Sequence, residues 1–404
     1  MAVGNTAFPE MHAVKGIKIG TCNAGIKQTQ RDDILLIEMV AGGTCAAVFT
    51  QNAFCAAPVI VARQHLSQNP RWLLVNSGNA NAGTGAQGMT DAIASCQQVA
   101  ALVGGNPEQV LPFSTGVIGE PLPLGKITPA LPKALANFAE ANWDQASRAI
   151  MTTDTFPKGA SEVIQIAGET ITITGISKGA GMIQPNMATM LGFIATDAKI
   201  ESALLQSCLA QAAELSFNRI TVDGDTSTND ACVLLASGCS AAPAICADSE
   251  NYYLFAAAVE RVCKRLAELI IRDGEGATKL MRIKIEQAAT SAEAVQVAKT
   301  IAHSPLVKTA FFASDPNWGR ILAAVGRAGV VNMDLSKIDI YLGLVCIVAG
   351  GGRAASYTEQ AGQQEMNQAE ITITVQLGRG EVSEEVLTCD FSYDYVRINA
   401  EYRT

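Results

Sequence analysis

Residues 178–195 constrain this chain more tightly than any other stretch. The run Lys178-Gly179-Ala180-Gly181-Met182-Ile183-Gln184-Pro185-Asn186-Met187-Ala188-Thr189 is a glycine-bearing approach that ends in a small residue followed by a hydroxyl residue. Residues 190–195, immediately beyond it, are apolar enough to form a buried strand. A threonine at the mouth of such a strand is a place to put a nucleophile. The Ala188–Thr189 bond is also a place where a chain can cut itself and free an α-amine. Threonine is common at strand starts, so local chemistry alone favours a plain loop entering a core strand.

Composition narrows what surrounds that strand. A chain of 404 residues is long enough for two or three domains and an ample core. Alanine and glycine dominate, and aromatic residues make up 5%, which suits tightly packed α/β layers better than an aromatic-rich sandwich. The net charge is −9, and no Lys/Arg cluster exceeds two adjacent residues, which excludes the basic footprint of non-specific nucleic-acid binding. Eleven cysteines without a C-x-x-C spacing read as reduced, mostly buried thiols of a cytoplasmic protein. No basic region followed by an apolar run opens the chain, and no segment approaches the roughly 20 apolar residues of a membrane span. A soluble protein without membrane or nucleic-acid partners is expected.

Strands are predicted at 33–40, 44–50, 72–76, 110–113, 190–195, 231–236, 308–313 and 371–377. Helices are predicted at 90–103, stopping at Gly104-Gly105, and at 123–139, 143–151, 200–217 and 251–272. Residues 76–85 read as an Asn/Gly-rich loop, and Asp315-Pro316-Asn317 as a turn that starts a helix. The elements alternate without a regular βαβ beat, which favours layered α+β lobes over a doubly wound sheet.

Several polar runs invite a functional reading. Residues 76–85 and 274–279 are glycine loops, but neither matches a dinucleotide or phosphate-loop register. Glu275, between two glycines, is open to close approach and suits a cationic ligand group. The run Asp223 to Asp230 is oxygen-rich but lacks the calcium-loop spacing, and reads as a hydrogen-bonded polar turn. Ser114-Thr115-Gly116 offers a hydroxyl beside an unhindered backbone N–H, the donor pair an oxyanion hole requires. His12, His65 and His303 stand in no catalytic context, so a covalent mechanism here takes its base elsewhere. An N-terminal threonine supplies its own base, because a free α-amine titrates at about 7.7–8.0, near working pH.

These pieces together resemble the ornithine acetyltransferase (glutamate N-acetyltransferase) family. The resemblance rests on Lys178 to Met182 with Pro185 to Leu191, on Ser114-Thr115-Gly116, and on Met151 to Thr155. It continues in Thr221 to Asp230, Arg272 to Lys279, Ser314 to Asn317 and the tail from Ile398-Asn399 to Thr404, in order over nearly the whole chain. It implies a layered α/β fold shared with the DmpA-type aminopeptidases. It also implies self-cleavage between Ala188 and Thr189 into an α chain (1–188) and a β chain (189–404), commonly assembled as α2β2. Thr189 becomes the nucleophile, Thr115 and Gly116 the oxyanion pair, and Thr153, Lys178, Thr189, Glu275, Asn399 and Thr404 the substrate-binding residues. Among these Thr153 is the least distinct, since Thr152 and Thr155 are its neighbours. The implied reaction moves acetyl from N2-acetyl-L-ornithine to L-glutamate in arginine biosynthesis, with no metal or organic cofactor. Whether acetyl-CoA is also a donor is left open, and so are two alternatives: a self-processed aminopeptidase or amidohydrolase, and a non-enzymatic binding protein of the same fold.

Overall fold

The computed structural model describes residues 3–4, 7–27, 30–184 and 190–401. Among them, the strands form three sheets. The central sheet has five strands in the order Thr44–Phe49, Ala231–Ala236, Leu191–Thr196, Glu169–Lys178, Lys158–Ile166. Its middle pair, Leu191–Thr196 and Ala231–Ala236, runs parallel and is buried at every position. Continuous burial of this kind requires a layer on each face.

The alternation of side chains shows what those layers are. Ile194, Cys232 and Leu234 pack toward the helices Ser202–Glu214 and Glu250–Arg272. Phe193, Ala195 and Val233 pack the other way, against Ile19, Ile37, Val75 and Phe113 of a four-stranded sheet. Phe113 and Phe193 meet edge to face across that interface, with ring centroids 5.2 Å apart. The far face of the four-stranded sheet (Leu36, Leu74, Val110) is covered by Val61, Cys96, Val99 and Leu131 from three further helices. The layers are therefore helix, sheet, sheet, helix. A second lobe has its own core around a six-stranded sheet, in which Leu280–Ala288 pairs with Glu370–Gln376 in parallel. The layered α+β expectation holds.

Local chemistry sets the element ends. Ser249 accepts a hydrogen bond from the Tyr252 amide and opens the helix Glu250–Arg272, which stops at Asp273. The helix Gly85–Val103 ends at Gly104, whose φ is +68°.

Three expectations need correction. Residues 308–313 are not a strand but part of the helix Pro305–Phe312: Ser304 caps the Val307 amide and Pro305 occupies the first turn. The helix expected at 90 begins at Gly85. The loop expected at 76–85 starts later, because Trp72–Asn79 and Val110–Val117 continue their parallel pairing through Asn76 opposite Ser114 and Gly78 opposite Gly116. Asn76, Ser77 and Ser114 survive in these buried strands because their side chains are hydrogen-bonded. Ser114 donates to Asn76 at 2.6 Å, and Ser77 to the Ala149 carbonyl at 2.6 Å.

Position 188/189 is not a boundary between layers. The two middle strands of the central sheet follow it in sequence, and the three that flank them precede it.

Candidate active site

The parallel pairing of Trp72–Asn79 with Val110–Val117 becomes irregular at its carboxyl end, where Asn79 faces both Thr115 and Val117. At that break Gly116 adopts φ +135°, and a Cβ there would stand 2.3 Å from the Gly78 carbonyl carbon. Only glycine fits this approach. Thr115, almost fully buried, precedes it on the same wall of a cleft of about 280 Å³.

The opposite wall comes from three separate segments. Lys178 ends the strand Glu169–Lys178, opposite Leu191 in the neighbouring strand. Residues 182–183 are gripped by Asp223, which accepts from the Met182 amide at 2.6 Å and the Ile183 amide at 2.9 Å. Burial outweighs these amides and raises the Asp223 carboxyl above the usual range. The run from Asp223 is thus the hydrogen-bonded turn read from sequence. Glu275 lies beneath Gly181: its amide donates to the Ala180 carbonyl at 2.9 Å, and a Cβ on Gly181 would strike its carboxylate at 2.3 Å. Asn399, on the helix Tyr393–Ala400, donates to Glu275 Oε2 at 2.8 Å. Ser392 anchors that helix through the Gly276 carbonyl at 2.6 Å.

Thr115, Gly116, Thr153, Lys178, Glu275 and Asn399, predicted from sequence, therefore line one cleft together with Met190. Ala188, Thr189 and Thr404 lie outside the described residues. Among the neighbouring threonines, Thr152 and Thr153 line the cleft, whereas Thr155 is turned to Asp273, to which its amide donates at 2.9 Å. The 274–279 loop has no free amides for a phosphate at its end, because Thr278 and Lys279 both donate theirs to Asp390 at 2.8 Å. Among the described residues no histidine lines the cleft, and burial drives His303 down to about 4.

Behind the cleft lies a cluster of buried charge that sequence reading did not single out. Lys158 Nζ is 2.6 Å from Asp154 Oδ1 and 2.6 Å from Asp273 Oδ2, all with side chains essentially inaccessible. Asp154 also accepts from the amides of Thr152 (2.9 Å) and Gly179 (2.7 Å). Burial alone would raise Asp154, but Lys158, Lys178 and the Gly179 amide prevail and hold it well below the usual carboxylate range. At Asp273 burial prevails and its carboxyl is raised. One ammonium thus ties the loop bearing Thr152 and Thr153, the end of the strand bearing Lys178, and the turn bearing Glu275. The i, i+4 spacing of Asp154 and Lys158 is visible in sequence, but Asp273, 115 residues away from Lys158, is not marked by any local pattern.

Asn229 and Asp230 were also missed as individual residues. Asn229 donates to the Ala80 carbonyl at 2.6 Å and the Ser114 carbonyl at 2.9 Å, clamping the backbone just before Thr115.

A hydroxyl beside an unhindered amide at a strand end, facing a cation and a carboxylate across a small cleft, is the site of an acyl-transfer enzyme acting on a charged small molecule. The sequence signature of the ArgJ family matches residues 18–404. The arginine biosynthesis bifunctional protein ArgJ of Methylococcus capsulatus is 64% identical over 391 residues, covering 97% of this chain and 96% of the relative. Its namesake from Pseudomonas fluorescens is 55% identical over 405 residues, covering both chains completely. A crystal structure of the Bacillus halodurans protein of that name aligns at 40% identity with a TM-score of 0.48, covering 50% of this chain and 95% of that one. The chain belongs to the ArgJ family, the acetyltransferase family its motifs resemble.

Proposed function

We propose that this chain cuts itself between Ala188 and Thr189, and that it then moves an acetyl group from N2-acetyl-L-ornithine to L-glutamate in arginine biosynthesis. The observation that carries the reading is convergence. Six residues from five distant segments line one cleft, and Met190, the residue after Thr189, lines it with them.

Thr189 Oγ attacks the acetyl carbonyl carbon, and the freed α-amine of Thr189 takes the hydroxyl proton. The Thr115 hydroxyl and the Gly116 N–H hold the developing oxyanion. As the tetrahedral intermediate collapses, the α-ammonium returns that proton to the departing nitrogen and ornithine leaves. The amine of glutamate then attacks the acetyl-threonine, and N-acetylglutamate is released by the reverse proton path. Lys178 faces a substrate carboxylate, and Glu275, oriented by Asn399, faces the ornithine side-chain ammonium. Thr153 and Thr404 complete the substrate contacts. No metal or organic cofactor takes part in these steps. The relatives are named bifunctional, and we propose acetyl-CoA as a second donor to the same threonine. We place the enzyme in the cytoplasm, where eleven free thiols remain reduced. Among the described residues no helix is long and apolar enough to cross a membrane. We expect the two chains to assemble as α2β2.

Thr189→Ala should migrate as one band near the calculated 42.3 kDa and lose acetyl transfer. An uncut variant with full activity would sink the reading. Thr115→Ala should lower kcat about 10²–10³-fold with little change in KM, the cost of one lost oxyanion donor. Release of acetate at the same rate with and without glutamate would favour an amidohydrolase instead.

A further inference from the structure

Among the described residues two carboxylates line the cleft, and they differ in one respect. Glu275 is held by Asn399. Asp230, only 4% exposed, is hydrogen-bonded by Ser227, yet its Oδ2 has no partner among the described residues. A buried carboxylate oxygen without a donor is costly, and it is rarely retained without a use. Lys178 lines the same cleft and lowers the Asp230 carboxyl electrostatically, but it forms no ion pair with it among the described residues. Burial prevails, so the carboxyl stands well above its usual range.

Its position is fixed from both sides. The Asp230 carbonyl accepts from the Thr50 amide at 2.9 Å, and the next amide, Ala231, donates to the Met190 carbonyl at 2.9 Å. The preceding residue, Asn229, clamps Ser114 beside the Thr115-Gly116 pair. Asp230 therefore stands between the strand that carries the oxyanion donors and the strand that continues from Thr189. An acetyl carbonyl held by Thr115 and Gly116 carries its amide nitrogen on the same carbon. That nitrogen leaves, and its successor arrives, within the same cleft that Asp230 lines.

We propose that Asp230 is the seat of an alkylammonium group in the cleft, its free oxygen accepting the N–H bonds of the amine that reacts there. The inference rests on the acetyl-transfer reading. Asp230 positions the nitrogen, and proton removal stays with the Thr189 α-amine. Two amines have this chemistry: the α-amino group of the leaving or attacking amino acid, and the α-amine freed at Thr189.

The test compares half-reactions of the full enzyme and of Asp230→Asn. The acetyl-enzyme is formed with acetylornithine, followed by mass spectrometry, and resolved with either glutamate or uncharged hydroxylamine. If the seat serves the substrate, the Asn variant should resolve with glutamate about tenfold or more slowly and keep its hydroxylamine rate. If it serves the chain's own amine, acetylation and both resolutions should slow together. Asp230→Glu, which keeps the carboxyl group, should recover part of the lost rate. An Asn variant as fast as wild type in both half-reactions overturns the assignment, as does a Glu variant no faster than Asn. A wild-type enzyme that never gains an acetyl group overturns the acetyl-transfer reading instead, and that result is visible before any variant is made.

Discussion

Lys158 and Lys308 are both fully buried, and the molecule satisfies them by opposite means. Lys158 meets two carboxylates at 2.6 Å. Lys308 meets none among the described residues: its ammonium donates to the Thr388 hydroxyl at 2.7 Å and to the Cys389 carbonyl, with the Phe391 ring 4.5 Å away. Burial lowers the Lys308 pKa, and the Cys389 thiol, Asp390 and Asp223 only partly restore it. The difference follows what each lysine joins. Lys308 fastens the helix Pro305–Phe312 to the end of the strand Val382–Cys389, two neighbouring pieces of one lobe. Lys158 holds in register three segments that carry candidate substrate residues, and there the structure uses full charges with directional bonds.

Removing each lysine should expose that contrast. Lys158→Met leaves Asp154 and Asp273 without the ammonium that pairs with both, and should cost about 3–5 kcal/mol of stability in urea denaturation. Its kcat/KM should also fall, by about 10²-fold, because the segments bearing Thr153, Lys178 and Glu275 lose their common anchor. A stable variant with normal kinetics would break the distinction between the two lysines. Asp273→Asn keeps an acceptor for Thr155 and leaves Lys158 its bond to Asp154, so about 1–3 kcal/mol is expected, with a smaller kinetic loss. Lys308→Met removes a desolvated ammonium along with its two hydrogen bonds, and should cost only about 1 kcal/mol and leave kcat/KM unchanged.

The smallest effect is a pH dependence. The unfolded chain keeps the Lys308 proton to about pH 10.4, whereas the native chain releases it earlier. Between those two values the unfolded state binds more protons, so native stability should rise with pH. As the pH rises toward about 10.4, urea midpoints of wild type should therefore gain on those of Lys308→Met; parallel curves would contradict the lowered pKa.

Much of the layered core was legible, because apolar runs such as residues 191–196 and 231–236 are buried at every position and their neighbours are set by composition. Residues 308–313 misled for the opposite reason. They end in the short apolar run Ala310-Phe311-Phe312-Ala313, which looks strand-like, and the Ser304-Pro305 start that makes them helical lies just outside the run. In the site, Thr115-Gly116, Lys178 and Glu275 carry local signatures, a hydroxyl or a charge beside glycine. Asp230 stood inside a recognised polar run, but a missing hydrogen bond has no sequence pattern. Lys158 and Asp273 are related only by the fold, since nothing within one segment announces a partner in another.

The central sheet has a consequence for how the enzyme is lost and regained. Its two middle strands follow position 188/189 and its three outer strands precede it. A cut there frees no piece, because each fragment is hydrogen-bonded into the other along whole strands. Once unfolded, however, the severed protein has become two molecules. Its recovery is then a bimolecular search that slows on dilution, whereas the uncut precursor refolds at a rate independent of concentration. Self-cleavage would thus trade reversibility for reactivity, leaving a mature enzyme whose lifetime is governed by how slowly that sheet first comes apart.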